Sequence, residues 1–415
     1  MSLPAKALQS LLSNGPLTGK RVLELGTTVA GPFCGRLLAD FGADVVKVEQ
    51  AEGDPLRGLG LSKDEVSLYA ASIFRNKRNI SLNLRSEQGR SLVRRLIVHC
   101  DVLIENFRPG AMERWGLGYE ALAEINPALV MVRISGFGQS GPYAARPGYG
   151  VVCEAASGLR EVTGDPDRPP ARVSVSLTDK IAGLYAAYGT SMALLARQTT
   201  GRGQVVDTAL YEAAFSFMEQ HVPAYSALGH VASRTGSRLP KSAPNSLYTT
   251  VDKRHIHIAA HNKATFVRLC EAMGQPELFE DERFASFAAR AEHTDEIDDI
   301  VGEWVAGLAL DVVEAKLDAA TVPASRIFTT ADIFANEHYK AREMLVELED
   351  ETLGSVTVTG ITPKLSDTPG KLNWPGRRMG ADTRAVLQEL LGLGDDEIDA
   401  LCADASIVCT AKGPS

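Results

Sequence analysis

Residues 21–49 read "RVLELGTTVAGPFCGRLLADFGADVVKVE". Two short runs rich in Val and Leu, "RVLEL" and "ADVVKVE", flank the helix-length segment "AGPFCGRLLADFG". Strand, helix and strand in so short a span form a βαβ unit, which requires a parallel sheet covered by helices. The alternation continues through "NISLNL", "SEQGRSLVRRLIVHC", "DVLIEN", "LVMVRISGFG" and "QVVDTAL". The fold class read from it is α/β, with a parallel sheet carrying helices on both faces.

The chain has 415 residues, more than one hydrophobic core usually serves, so two domains are expected. Apolar residues make up 45% and charged residues 23%, ordinary for a chain that buries a large core. A net charge of -9 argues against a general nucleic-acid or anionic-membrane binder. The six cysteines include no CxxC pair, which fits reduced thiols in a cytoplasmic protein. The N-terminus has no secretory apolar segment, and the uncharged run from Ile181 to Ala196 falls short of the roughly 20 residues a membrane span needs. That run reads as a buried core helix. From residue 223 the stretch "PAYSALGHVASRTGSRLPKSAPNSLY" is rich in Gly, Pro and Ser and reads as a linker. The domains are therefore set as 1–223 with 341–415, and a smaller α+β unit at 224–340.

Within "LELGTTVAGPFCG", Gly26 and Gly31 mark a strand-to-helix turn, and Glu49 ends the next strand. A dinucleotide turn has this outline, but GxGxxG is absent, and Gly31-Pro32 stands where a P-loop needs Lys and Ser or Thr. Asp179, in "SLTDKIAGLYAAYG", precedes the apolar stripe Ile181, Leu184, Tyr185, Tyr188, Met192 and Leu195. An N-cap is its default reading. A carboxylate at a helix start also has its anion stabilised by the dipole, and an ionised carboxylate can attack an acyl carbon. His255, His257 and His261 lack a neighbouring acid or thiol at ligand spacing, so no metal site is expected. The acidic run from Asp295 to Asp299 reads as a solvated helix face. Arg57, Lys77, Arg78, Arg108, Arg114 and Arg146 all sit beside turns. Gathered in one cleft they would suit a polyphosphate or carboxylate.

With these segments in view, the chain resembles the class III coenzyme A transferases (CaiB/BaiF, formyl-CoA transferase type). The matching text is "LELGTTVAGPFCGRLLADFGADVVKVE", "NKRNISLNL", "DVLIENFRPGAMERWGLGYEAL", "SGFGQSGPYAARPGYG", "LTDKIAGLYAAYG" and "TGRGQVVDTALYEA". The resemblance implies a Rossmann-like large domain made from both chain ends, an inserted small domain, and an interlocked homodimer. It implies Asp179 as the nucleophile, passing from an anhydride to an aspartyl-CoA thioester and back. It implies CoA contacts at Val29, Ala30, Lys77, Arg78, Asn106, Phe107 and Arg114, with Arg146 near a further one. Gln50 stands where some relatives have an arginine, and "AAHNKATF" stands where several have a glycine-rich loop. The expected ligands are an acyl-CoA, with succinyl-CoA the donor the family offers, and a small carboxylate; no cofactor beyond coenzyme A as substrate, no metal, no nucleic acid and no membrane are expected.

Three other readings stand beside this one. A 2-methylacyl-CoA racemase of the same superfamily needs a His 30 residues before the Asp, where this chain has Tyr149, a poor match by its reference pKa near 10. An NAD-dependent oxidoreductase would use Glu49 and a glycine fingerprint. A non-catalytic CoA-binding protein would keep its cell function without Asp179.

Overall fold

Alternation along each strand decides which layer covers it. In the computed structural model, which describes residues 15–410, the main sheet contains β1 (Arg21–Glu24), β2 (Asp44–Glu49), β3 (Lys77–Leu82), β4 (Val102–Glu105), β5 (Val130–Ser135) and β6 (Val205–Ala209). These six run parallel in the order β3-β2-β1-β4-β5-β6, and β7 (Ile407–Val408) pairs antiparallel with β3. In β1, β2, β4 and β5 adjacent residues part company. Val22, Val45, Val102 and Val130 join a core with the helices Ala30–Asp40 and Leu177–Thr200. Leu23, Val46, Leu103 and Met131 join another with Glu87–Ile97 and Thr383–Leu391. Both faces are covered, which is why apolar residues stand side by side along the central strands, while the charged residues among them, Glu24, Lys47 and Arg133, are held in ion pairs.

The C-terminal residues return to this sheet. Trp374 donates its indole N–H to Lys77 O at 3.0 Å, while Asp382 and Thr383 side chains accept from the Asn79 and Ser81 amides at 2.9 and 3.0 Å. The described chain divides into two compact units. The first comprises the residues up to 159, 173–222 and those from 340 onward; the second comprises 160–172 and 223–339. The second unit holds an antiparallel sheet of Asn245–Thr249, His255–Ala259 and Ala324–Arg326, backed by Lys263–Met273, Thr294–Ala306 and Leu310–Ala319. Residues 160–172, which the sequence reading leaves in the large domain, group with this unit: the Gly236 amide donates to Gly164 O at 3.0 Å, and Arg234 pairs with Glu161 at 2.8 Å. Of the expected linker, residues up to Leu228 are helical in His221–Leu228, where no glycine interrupts the chain.

The helix Leu177–Thr200 corrects one expectation. Its buried face is the small one, with Ala182, Gly183, Ala186, Ala187, Thr190 and Ala193, packed so closely that a Cβ on Gly183 would lie 2.9 Å from Ala30 O. The large apolar residues expected in the core, Leu184, Tyr185, Tyr188, Met192 and Leu195, are exposed. The helix is apolar all round, so periodicity alone does not say which side faces the sheet. Among the described residues, no helix is long and apolar enough to cross a membrane.

Candidate active site

Strands β1 and β4 are neighbours, but the chain leaves them for opposite faces of the sheet. After β1 it enters the helix Ala30–Asp40 on one face, and after β4 it runs through Met112, Leu117 and Leu122 on the other. A gap therefore opens at the carboxyl ends of the two strands, the topological switch point where open α/β sheets bind ligands.

Local chemistry shapes both lips of the gap. Gly26 and Gly31 approach so closely that a Cβ on Gly26 would lie 3.1 Å from Gly31 Cα. Asn106 clasps the turn: its side-chain carbonyl accepts from the Thr27 amide at 2.8 Å, and its amide donates to Thr27 O at 2.9 Å. Thr28 takes a φ of +66°, unfavourable for a β-branched residue, and its amide donates to Asp54 Oδ1 at 2.9 Å. Asp54 is in turn paired with buried Lys47 at 2.9 Å. The helix Ala30–Asp40 then begins without a side-chain cap, so its first amides face the gap with the positive end of the dipole.

The resulting cleft encloses about 210 Å³ and is lined by residues 27–30, 106–109, 134–136 and 146–149, with Asp179 and Leu210. Asp179 is not the N-cap: the helix starts at Leu177 after Ser176, and Asp179 occupies its first turn. Its half-buried carboxylate lies against Gly150, where a Cβ would come within 2.0 Å of Oδ2. Gly136 and Gly148 touch in the same way, a Cβ on either falling 2.7 Å from the other's Cα. Burial, then the Asp179 charge, push the nearby Cys153 thiol up to about 11. Lys180 goes the other way, lowered by burial and then by the Arg36 charge.

Of the expected site residues, Val29, Ala30, Asn106, Phe107, Arg146 and Asp179 meet in this cleft; Lys77, Arg78 and Arg114 do not line it. Lys77 begins β3 opposite Val45, and its side chain runs beneath the turn that follows β1 without reaching the cleft wall. There Lys77 is fully buried, bonded to Glu24 at 2.6 Å and to Pro32 O at 2.7 Å. Arg78 pairs with Asp44 and Glu389 at 2.9 and 2.8 Å. Both charges are buried, and buried charges need such partners. Arg114 is exposed on the short helix Ala111–Arg114. Glu49, the candidate ribose ligand of the oxidoreductase reading, already accepts from the Asp54 amide at 2.9 Å and Arg57 Nε at 2.7 Å. Among the described residues no histidine lines the cleft; Tyr149 is present where a racemase needs one.

Sequence reasoning missed Ser135, whose hydroxyl is buried without a protein partner on the cleft wall, and the Gly136–Gly148 contact. The repeated glycines of "SGFGQSGPYAARPGYG" were the available signal for the contact. Among the described residues, no group of three or more His, Cys, Asp or Glu is placed to hold a metal ion. His257 Nε2 lies 2.8 Å from Asn245 Oδ1 and His255 Nδ1 3.1 Å from Thr249 Oγ1.

A doubly wound sheet with an acidic group in its switch-point cleft is the frame of an α/β enzyme. Residues 17–383 match the model of CoA-transferase family III, and the chain belongs to that family. It is a CoA-transferase, moving coenzyme A between an acyl-CoA and a carboxylic acid. It is 44% identical to a succinyl-CoA–D-citramalate CoA-transferase of Chloroflexus aurantiacus over 94% of this chain and 97% of that one. It is 40% identical to the beta subunit of a succinyl-CoA–L-malate CoA-transferase of the same organism, over 93% and 96%. The crystal structure of a CaiB/BaiF family protein from Brucella suis superposes with a TM-score of 0.82 at 36% identity, covering 91% of this chain and all of that one.

Proposed function

We propose that Asp179 is the nucleophile that carries coenzyme A from donor to acceptor. A carboxylate oxygen attacks the thioester carbon of the donor, the C–S bond breaks, and a mixed anhydride forms with release of CoA thiolate. The thiolate attacks the aspartyl carbonyl, freeing the donor acid and leaving an aspartyl-CoA thioester. The acceptor carboxylate displaces the thiolate to form a second anhydride. Attack of the thiolate on the acceptor's carbonyl then restores Asp179 and releases the new acyl-CoA. Every exchange keeps the acyl group activated, so no external energy source is needed.

The observation that carries this reading is the position of the Asp179 carboxylate in the switch-point cleft, with the uncapped start of Ala30–Asp40 on the same wall. The backbone amides of Val29 and Ala30 are suited to receive oxyanion charge, while the Thr28 amide is engaged by Asp54. Val29, Ala30, Asn106, Phe107 and Arg108 would hold the thioester end of coenzyme A. Both Chloroflexus relatives are named for succinyl-CoA and a hydroxy-substituted diacid. Succinyl-CoA and a small dicarboxylate are accordingly the substrates proposed here, in the cytoplasm. Asp179→Ala should lower kcat at least about 1,000-fold while the Kd for CoA stays within threefold, whereas Asp179→Ala retaining transfer would refute the assignment.

A homodimer is part of the proposal. Leu184, Tyr188 and Leu195 are 58%, 62% and 58% exposed on one helix face, an apolar stripe suited to a second copy of the chain. Sedimentation should find a dimer of the wild type and loss of it in Tyr188→Asp/Leu195→Asp; a monomeric wild type would contradict this.

A further inference from the structure

Arg146 lies four residues before Gly150, the glycine against which the Asp179 carboxylate packs, and lines the same cleft. Its guanidinium carbon sits 3.7 Å from the centroid of the Tyr143 ring, and Tyr143 stands edge-on to Phe137 at 5.8 Å. The planar fork is thus backed by an aromatic stack. Among the described residues no carboxylate pairs with Arg146, unlike Arg57, Arg78, Arg133 and Arg197, each of which engages an acid. An unneutralised, supported guanidinium facing a substrate cleft is suited to bidentate recognition of an anion.

Size distinguishes the two anions a CoA-transferase handles. Pantetheine, counted as four to five residues of extended chain, puts the CoA diphosphate about 15 Å from the thioester sulfur. The two carboxyl carbons of a four- or five-carbon diacid are only about 4–5 Å apart. Arg146 lines the same cleft as the acyl-accepting carboxylate, where the far carboxylate of a bound diacid lies, whereas the diphosphate sits a pantetheine arm away from the thioester.

The geometry points to Arg146 as the residue that selects dicarboxylates, by pairing with the substrate carboxylate that does not react. This deepens the transferase reading and rests on it. It also departs from the expectation that Arg146 meets coenzyme A.

The test compares kcat/KM for acceptors matched in length, succinate with butyrate and glutarate with pentanoate, in the wild type, Arg146→Met and Arg146→Lys. In a ping-pong reaction this parameter reports the acceptor half alone, whichever donor is used. Arg146→Met should lose roughly 10- to 100-fold on both diacids and under threefold on the monoacids, with inhibition by free CoA unchanged. Arg146→Lys should recover part of the loss. Equal losses on diacids and monoacids, weakened CoA inhibition with selectivity intact, or a wild type that prefers butyrate would each overturn the inference. A wild type that transfers CoA to no acid would instead count against the transferase mechanism, which the Asp179 variants test separately.

Discussion

Lys77 and Arg146 carry the same charge and lie beside turns in the sequence, yet the fold surrounds them differently. Lys77 is fully buried within bonding distance of Glu24, in a cluster that also contains Lys47 and Asp54. Arg146 is exposed over an aromatic ring, and among the described residues no acid pairs with it. The buried cluster shapes the site from below: Lys47 donates to Gly26 O at 2.7 Å, Lys77 to Pro32 O, and Asp54 receives the Thr28 amide. A cation whose charge is met by the protein supports the turn, and one whose charge is unmet is left for the ligand.

The contrast can be broken most forcefully at Lys77. Lys77→Met removes one partner of a buried pair and should lower unfolding stability by about 3–5 kcal/mol in urea titrations. Arg108→Ala, on the cleft rim, should leave stability within about 0.5 kcal/mol and raise KM for the acyl-CoA about tenfold. The reverse pattern, a stable Lys77→Met with weakened CoA binding, would return Lys77 to the ligand site.

Gly150→Ala sharpens the comparison between support and reaction. The new methyl would meet Asp179 Oδ2 at 2.0 Å, so the carboxylate must move. A displacement near 1 Å should reduce kcat roughly 100-fold with an unchanged circular dichroism spectrum. Full activity would mean that the carboxylate's position against Gly150 is unimportant.

The smallest effect concerns Cys153. Its thiol is raised from the ordinary 9.0 to about 11, so between those values the folded chain holds a proton that the unfolded chain has released. The associated stability is complete below about pH 9 and is lost as pH rises through 11, at no more than about 1.4 kcal/mol per pH unit. The urea midpoint of the wild type should therefore fall relative to Cys153→Ala between pH 8 and 10. A constant difference would contradict the shift.

The fold was legible because the runs around Val22, Val45, Val102 and Val130 carry a local signal that tertiary structure did not override. The motif reading puts Asp179 and the Asn106–Phe107 segment at one site, and all three line the cleft. The fate of Lys77 and Arg78 was not, because it depends on Glu24, Asp44 and Glu389, which long-range pairing brings to them. The helix after Asp179 was read inside out for a related reason. Its alanines and glycine allow close approach to Ala30 and Phe33, so the small face won the core over the large one. Ser135 gave no signal, since an unpartnered hydroxyl is visible only after its neighbours are in place.

The most direct measurement is covalent capture during turnover. Protein mixed with succinyl-CoA and quenched with hydroxylamine should yield, on digestion and peptide mass spectrometry, a hydroxamate on Asp179 that requires the acyl-CoA. Catalytically active protein whose Asp179 peptide stays unmodified under the same conditions would show that the carboxylate never carries the activated group.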